Sequence, residues 1–177
     1  MKAFEQDAAG ALVAEFEPQE ALILTLLATD IADLLDDPAR SERGPVLERL
    51  LPDAYPDDDS ASAEFRRLTA EGLATRKRLN AHTIISTIQV ASIDRDGGGP
   101  VLSPDNPAPV RVELDEETTQ AWLKSLNDIR LTIGVRLGLD DGHDAHDDSG
   151  IDEETLMRDI YRWVSDVQDS LLEALDA

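Results

Sequence analysis

The sequence predicts a mainly α (α+β) fold: a four-helix bundle-like single domain carrying a small antiparallel β-sheet. Three observations predict it. Four stretches repeat apolar residues at three- and four-residue spacing, the period of a helix with one buried face. Short stretches near the start and at Val110 to Leu114 alternate apolar and polar residues instead, as half-buried strands do. Only 4% of the residues are aromatic against 41% hydrophobic, so Leu, Ile, Val and Ala must fill the interior, which helical layers readily allow. A length of 177 residues suits one continuous core, and one domain is expected over residues 1–177.

The first 16 residues read as a hairpin, with Leu12, Ala14 and Phe16 alternating after the turn-like Asp7-Ala8-Ala9-Gly10. Pro18 suits the first position of a helix whose apolar set is Leu22, Ile23, Leu26, Leu27, Ile31, Leu34 and Leu35, ended by Asp36-Asp37-Pro38. This helix is expected to be well buried. Pro45 and Pro52 bracket a short helical segment whose Leu47, Leu50 and Leu51 would plug the core. Asp58 or Asp59 can cap a long second helix, with Phe65, Leu68, Gly72 and Leu79 facing inward. The run Thr83 to Ile88 either continues this helix or forms a strand, the helix being favoured.

A Gly/Pro-rich loop at 94–109 follows, and Val110 to Leu114 is expected to pair with the hairpin. Asp115 stands where an N-cap belongs, with Glu116 and Glu117 in the first turn of a third helix that ends at Gly138. Beyond the acidic loop at 139–150, Ser149 and Asp152 resemble a capping box. They open a last helix with the stripe Leu156, Ile160, Trp163, Val164, Val167, Leu171 and Leu175.

Charge narrows the function. The chain has 38 acidic and 16 basic residues, a formal net charge of -22, and a polyanion repels phosphate backbones, which makes nucleic acid an unlikely partner. Lysine occurs only as Lys2, Lys77 and Lys124. The positive charge is therefore nearly all guanidinium, suited to carboxylate pairing, although codon usage or salt adaptation gives the same bias. No cysteine is present, which removes thiolate chemistry and disulfides within these residues. Acidic residues occupy Met1 to Asp7, and the longest apolar segment, Ala21 to Ala28, is far shorter than a membrane span. A cytoplasmic protein without membrane attachment is expected.

Three groups of residues carry chemistry. On the third helix Arg130 projects into the sector of Trp122, Leu126, Ile129, Ile133 and Leu137, with Asn127, Asp128 and Gly134 nearby. The favoured reading is a buried ion pair with a neighbouring helix, Gly134 permitting close backbone approach; the alternative is a pocket for an anionic ligand. Arg66, Arg67, Arg76, Lys77 and Arg78 stand against Glu64 and Glu71, and Arg66, Arg67, Lys77 and Arg78 form a basic stripe. That stripe either balances internal carboxylates, as Glu71 can with Arg67, or holds an acidic partner. His143, His146 and Asp144, within an Asp-rich run, are weak metal candidates, more readily a solvated linker, and no cofactor is expected. Neither a Gly-x-Ser-x-Gly elbow nor a His-Glu-x-x-His helix appears, so no enzymatic activity is expected.

Leu51-Pro52-Asp53-Ala54-Tyr55, Glu64-Phe65-Arg66-Arg67-Leu68, Ala121-Trp122-Leu123, Leu126-Asn127-Asp128-Ile129-Arg130-Leu131 and Arg136-Leu137-Gly138 carry a resemblance. The chain resembles an actinobacterial family, a domain of unknown function, whose genes lie near the ClpS-type protease adaptor and nicotinate phosphoribosyltransferase. Some members are labelled transcriptional regulators, yet this chain has neither a helix-turn-helix signal nor a basic surface. The expected function is a non-enzymatic interaction or regulatory protein with an unidentified protein partner, self-associating as a homodimer. A small anionic-ligand sensor centred on Arg130, or a transcriptional regulator, are the alternatives.

Overall fold

A computed structural model describes residues 1–36, 44–55, 57–93, 108–139 and 153–177, with all their side chains but those of Asp59, Ser62 and Arg66. It is a mainly helical domain with a small antiparallel sheet. Strands β1 (Lys2–Gln6) and β2 (Leu12–Phe16) form the hairpin. The Asp7 carboxylate closes its turn by accepting from the amides of Ala9 and Ala11 at 2.8 and 2.9 Å. Gly10 supplies the positive φ of 87° that a side chain would resist. Strand β3 (Val110–Leu114) pairs antiparallel with β2, from Leu12 opposite Leu114 to Phe16 opposite Val110, in the order β1-β2-β3. Its alternation is clean: Val110, Val112 and Leu114 are buried, Arg111 and Glu113 exposed.

The helices are α1 (Pro18–Asp36), α2 (Pro45–Leu50), α3 (Asp59–Ala91), α4 (Glu116–Arg136) and α5 (Glu153–Leu175). Thr83 to Ile88 is helical, so α3 runs unbroken to Ala91. Asp58 caps α3 by accepting from the Ala61 amide, and Asp115 caps α4 by accepting from the Thr118 amide. Gly138, at φ 66°, follows the end of α4. Helix α4 is the centre of the bundle, touched by α1, α2, α3 and α5. Trp122 on α4 joins bundle to sheet: its ring lies 6.1 Å from those of Phe4 and Phe16, and its indole N–H reaches Thr87 Oγ1 at 3.4 Å.

Two helices meet the core with different faces from those expected. In α1 the buried residues are Ala21, Leu24, Ala28, Ile31, Ala32 and Leu35, while Leu22 and Leu26 face solvent. In α3 the residues expected to point inward point outward: Phe65 is 40% exposed, Leu68 68% and Leu79 57%, and Gly72 is exposed as well. The core is met instead by Ala74, Ala81, Ile84 and Ile88. Both helices carry apolar residues on two sides, and the side with alanines allows the closer helix packing. In α5, Val164, Val167, Leu171 and Ala174 are buried, whereas Leu156 and Leu175 at the two ends of the expected stripe are exposed. The acidic loop from Asp140 to Gly150 and residues 94–107 of the Gly/Pro-rich loop lie outside the described residues, as does the Ser149/Asp152 cap.

Candidate functional site

Helix α3 has two unlike faces. On the inner face Lys77 falls in register with Ala74, Ala81, Ile84 and Ile88, which directs a lysine toward the core. Its ammonium meets Asp128 of α4, with Nζ 2.5 Å from Oδ1. Asp128 is 1% exposed, and burial raises its pKa above the usual carboxylate value, against the opposing pull of the Lys77 hydrogen bond and charge. Its second oxygen, Oδ2, and the buried Ser125 hydroxyl have no hydrogen-bond partner among the described residues. The carboxylate is thus held by one strong contact and is otherwise poorly solvated. Thr132 completes this polar strip by donating from Oγ1 to the Asp128 carbonyl at 2.9 Å.

The residues named from the sequence divide between two sides of α4. Asp128 faces α3. Arg130 faces α5, where its Nη1 donates to Gln168 Oε1 at 2.8 Å and its guanidinium lies 5.7 Å from the centre of the Tyr161 ring. The expected buried guanidinium–carboxylate pair is therefore not what forms: the partner of Arg130 is a neutral amide, and the buried ion pair uses Lys77 and Asp128. Gly134 also sits beside Tyr161, but a Cβ there would be 3.9 Å from the ring, an ordinary contact, so no close backbone approach requires glycine. Asn127 is exposed and joins neither group.

The basic stripe is likewise divided. Lys77 turns inward, and Arg78 pairs with Asp36 at the end of α1. Arg67 and Arg76 are exposed and make no ion pair among the described residues, so the pairing expected between Arg67 and Glu71 does not form. The Arg66 side chain, like His143, Asp144 and His146, lies outside what is described. Sequence reasoning missed Gln168, Tyr161 and Ser125. Lys77 at helical spacing from Ala74, Ala81 and Ile84 was the one signal that could have located the buried pair.

The outer face of α3 is the second feature. Phe65, Leu68 and Leu79 are exposed along it, and Tyr55 packs edge-on against Phe65 with ring centres 6.0 Å apart. From Asp59 to Leu73 no described α3 residue is buried, and the helix first enters the core at Ala74. This first part of α3, about 22 Å long at 1.5 Å per residue, forms an arm that is half-buried at Ala61, Thr69, Ala70 and Leu73 and exposed along its outer face. Among the described residues no helix is long and apolar enough to cross a membrane.

Comparison with known proteins gives a family and a set of distant relatives. The oxidative stress regulator AosR of Mycobacterium tuberculosis (strain H37Rv) is 30% identical over 152 residues, covering 68% of this chain and 62% of the regulator. The Mycobacterium bovis regulator of that name matches equally, and a Mycobacterium leprae protein with the AosR designation is 30% identical over 78% of this chain. The chain spans about 62% of the length of these relatives. No solved structure matches it. The profile of a domain of unknown function, DUF2017, matches residues 1–175, and the chain belongs to that family.

Proposed function

We propose that this chain is a non-enzymatic regulatory protein of the cytosol that acts by binding another protein chain through the outer face of α3. The observation that carries this reading is the exposure of Phe65 and Leu68 on the arm, and of Leu79 just beyond it, along one face of α3. An apolar face of this kind is costly to leave in water and is characteristic of a binding surface. The mycobacterial relatives, named as oxidative stress regulators, support a regulatory role. Within these 177 residues there is no cysteine, so any response of this segment to an oxidant runs through a partner or through non-thiol chemistry.

The test is complementation. In the source organism, removing the gene should lower survival of a peroxide challenge, and the wild-type gene should restore it. Leu68→Glu should fold normally, because Leu68 touches no core, yet fail to restore survival. Full rescue by Leu68→Glu would refute the role of this face.

A further inference from the structure

The outer face of α3 has a regular spacing. Ala61, Phe65, Leu68, Gly72, Thr75 and Leu79 recur at alternating steps of four and three residues, the spacing of a coiled-coil seam. The core-facing residues Ala74, Lys77, Ala81, Ile84 and Ile88 run along the opposite side of the same helix. One seam is filled by the bundle, and on the other Tyr55 covers Phe65 edge-on while Leu68 and Leu79 stay exposed.

We propose that a second copy of this chain fills it, the two α3 arms pairing antiparallel about a two-fold axis near Ala70. This rests on the reading of the outer face as a binding surface and names its occupant. About that axis Leu68 of one copy meets Gly72 of the other, Phe65 meets Thr75, and Leu79 meets Ala61. Each layer sets a large side chain against a small one, which fills a helix interface without clash or void. A parallel pair would stack Phe65 on Phe65 and Gly72 on Gly72, crowding one layer and emptying another.

Charge and glycine support the same occupant. Glu64 and Arg78 border the seam on one edge, and the antiparallel pair brings Glu64 of each copy beside Arg78 of the other. Glu64 has no ion partner among the described residues, and the Arg78 side chain, 35% exposed beside Asp36, keeps donors free. Gly72 lies within a long helix, where glycine costs about 1 kcal/mol relative to alanine. Among the described residues nothing outside its own helix turn lies within 4 Å of a Cβ built there, so the described fold gives no reason for the missing side chain. A leucine from a second helix does. Along this stretch Arg67, Arg76 and Arg78 stand against Glu64 and Glu71, so the face is less negative than a chain of net charge -22 as a whole, and the two Glu64–Arg78 pairs offset the one like-charge contact of Glu71 with its counterpart at the axis.

The experiment uses the full chain. Light scattering across a concentration series should show the mass rising from 19.4 kDa toward twice that value, and Leu68→Glu should hold it at one chain with unchanged circular dichroism. The chain has no cysteine, so a single introduced thiol reports one contact. Thr69→Cys lies beside the axis and should link to itself through a short bis-maleimide, whereas Gln89→Cys, exposed beyond the seam, should not. A wild-type chain that stays at one mass, a dimer that survives Leu68→Glu, or equal linking at both thiols overturns the proposal. If the chain stays monomeric while Leu68→Glu still loses the peroxide rescue, the outer face remains a binding surface and its occupant is a different protein.

Discussion

The two halves of α3 obey the same helical rules and reach opposite outcomes. From Ala74 onward the helix offers Ala74, Ala81, Ile84 and Ile88 to the bundle, all buried. From Asp59 to Leu73 it has larger apolar residues, Phe65 and Leu68, and leaves them in water. Size and hydropathy alone therefore do not decide which part of a helix enters the core. What decides is where neighbours exist: α1 and α4 both pack on α3, and the ion pairs at Lys77 and Arg78 show them reaching its middle. The buried half is specified by close packing and one ion pair, whereas the arm is half-buried at most, with Tyr55 against Phe65.

The sharpest way to break this contrast is at Lys77. Removing one partner of a buried ion pair strands the other, so Lys77→Met should cost about 3–5 kcal/mol. The pH dependence identifies the cause. The folded-state pKa of Asp128 is raised, so the native state holds its proton more tightly than the unfolded chain does. Its contribution to stability falls as pH rises from the ordinary carboxylate range through the raised value. Losing Lys77 removes the pull that opposes this shift, so the deficit of Lys77→Met relative to wild type should grow between about pH 4 and about pH 7. Urea denaturation at both pH values measures it, and a deficit independent of pH would mean that Asp128 is not the stranded group.

Next in size is a matched pair of truncations. Ile84→Ala, in the buried half, should cost about 2–5 kcal/mol by leaving a cavity. Leu68→Ala, on the arm, should change the stability of the isolated chain by no more than about 0.5 kcal/mol. Equal losses at the two positions would erase the distinction between the halves. Gly72→Ala sharpens it further: with open space around the added methyl, it should stabilise the single chain by about 0.5–1 kcal/mol. The same methyl should weaken self-association, because it occupies the space assigned to Leu68 of the second copy. Thermal melts and light scattering on one sample separate the two effects.

Much of the architecture was legible because it rests on local chemistry. Asp7 and Gly10 announce a turn, Asp115 announces a cap, and Val110 to Leu114 alternate as a half-buried strand must. The orientation of α1 and α3 was not legible, because periodicity states which residues share a face and says nothing about which of two apolar faces meets the core. In α3 the inner stripe opens with Ala74, Lys77 and Ala81 before reaching Ile84 and Ile88, and that opening reads more weakly than Phe65, Leu68 and Leu79. The site shows the same limit. Lys77 and Asp128 were both candidates, one in a basic stripe and one in a polar cluster, but they lie 51 residues apart, and their pairing depends on how two helices dock. Arg130 is expected to pair with a carboxylate of a neighbouring helix, and it does face one such helix, α5. Its partner, Gln168, carries no charge by which pattern reasoning could have found it.

The smallest predicted effect compares two aspartates on α4 whose surroundings act in opposite directions. Asp115, exposed at the N-cap, has its pKa lowered first by the hydrogen bond from the Thr118 amide. A lowered folded-state pKa contributes stability that is present above the ordinary carboxylate value and lost as pH falls through the folded value. Asp115→Ala should therefore fall further below wild type as pH rises through the carboxylate range. Asp128, buried and raised, has the other sign: Asp128→Asn removes a group whose ionisation weakens the fold, so its stability relative to wild type should improve over the same pH rise. Denaturation curves of the three proteins over an acid-to-neutral series should give slopes of opposite sign for the two variants. Parallel slopes would show that the environment of Asp128, and with it the buried side of α3, has been misassigned.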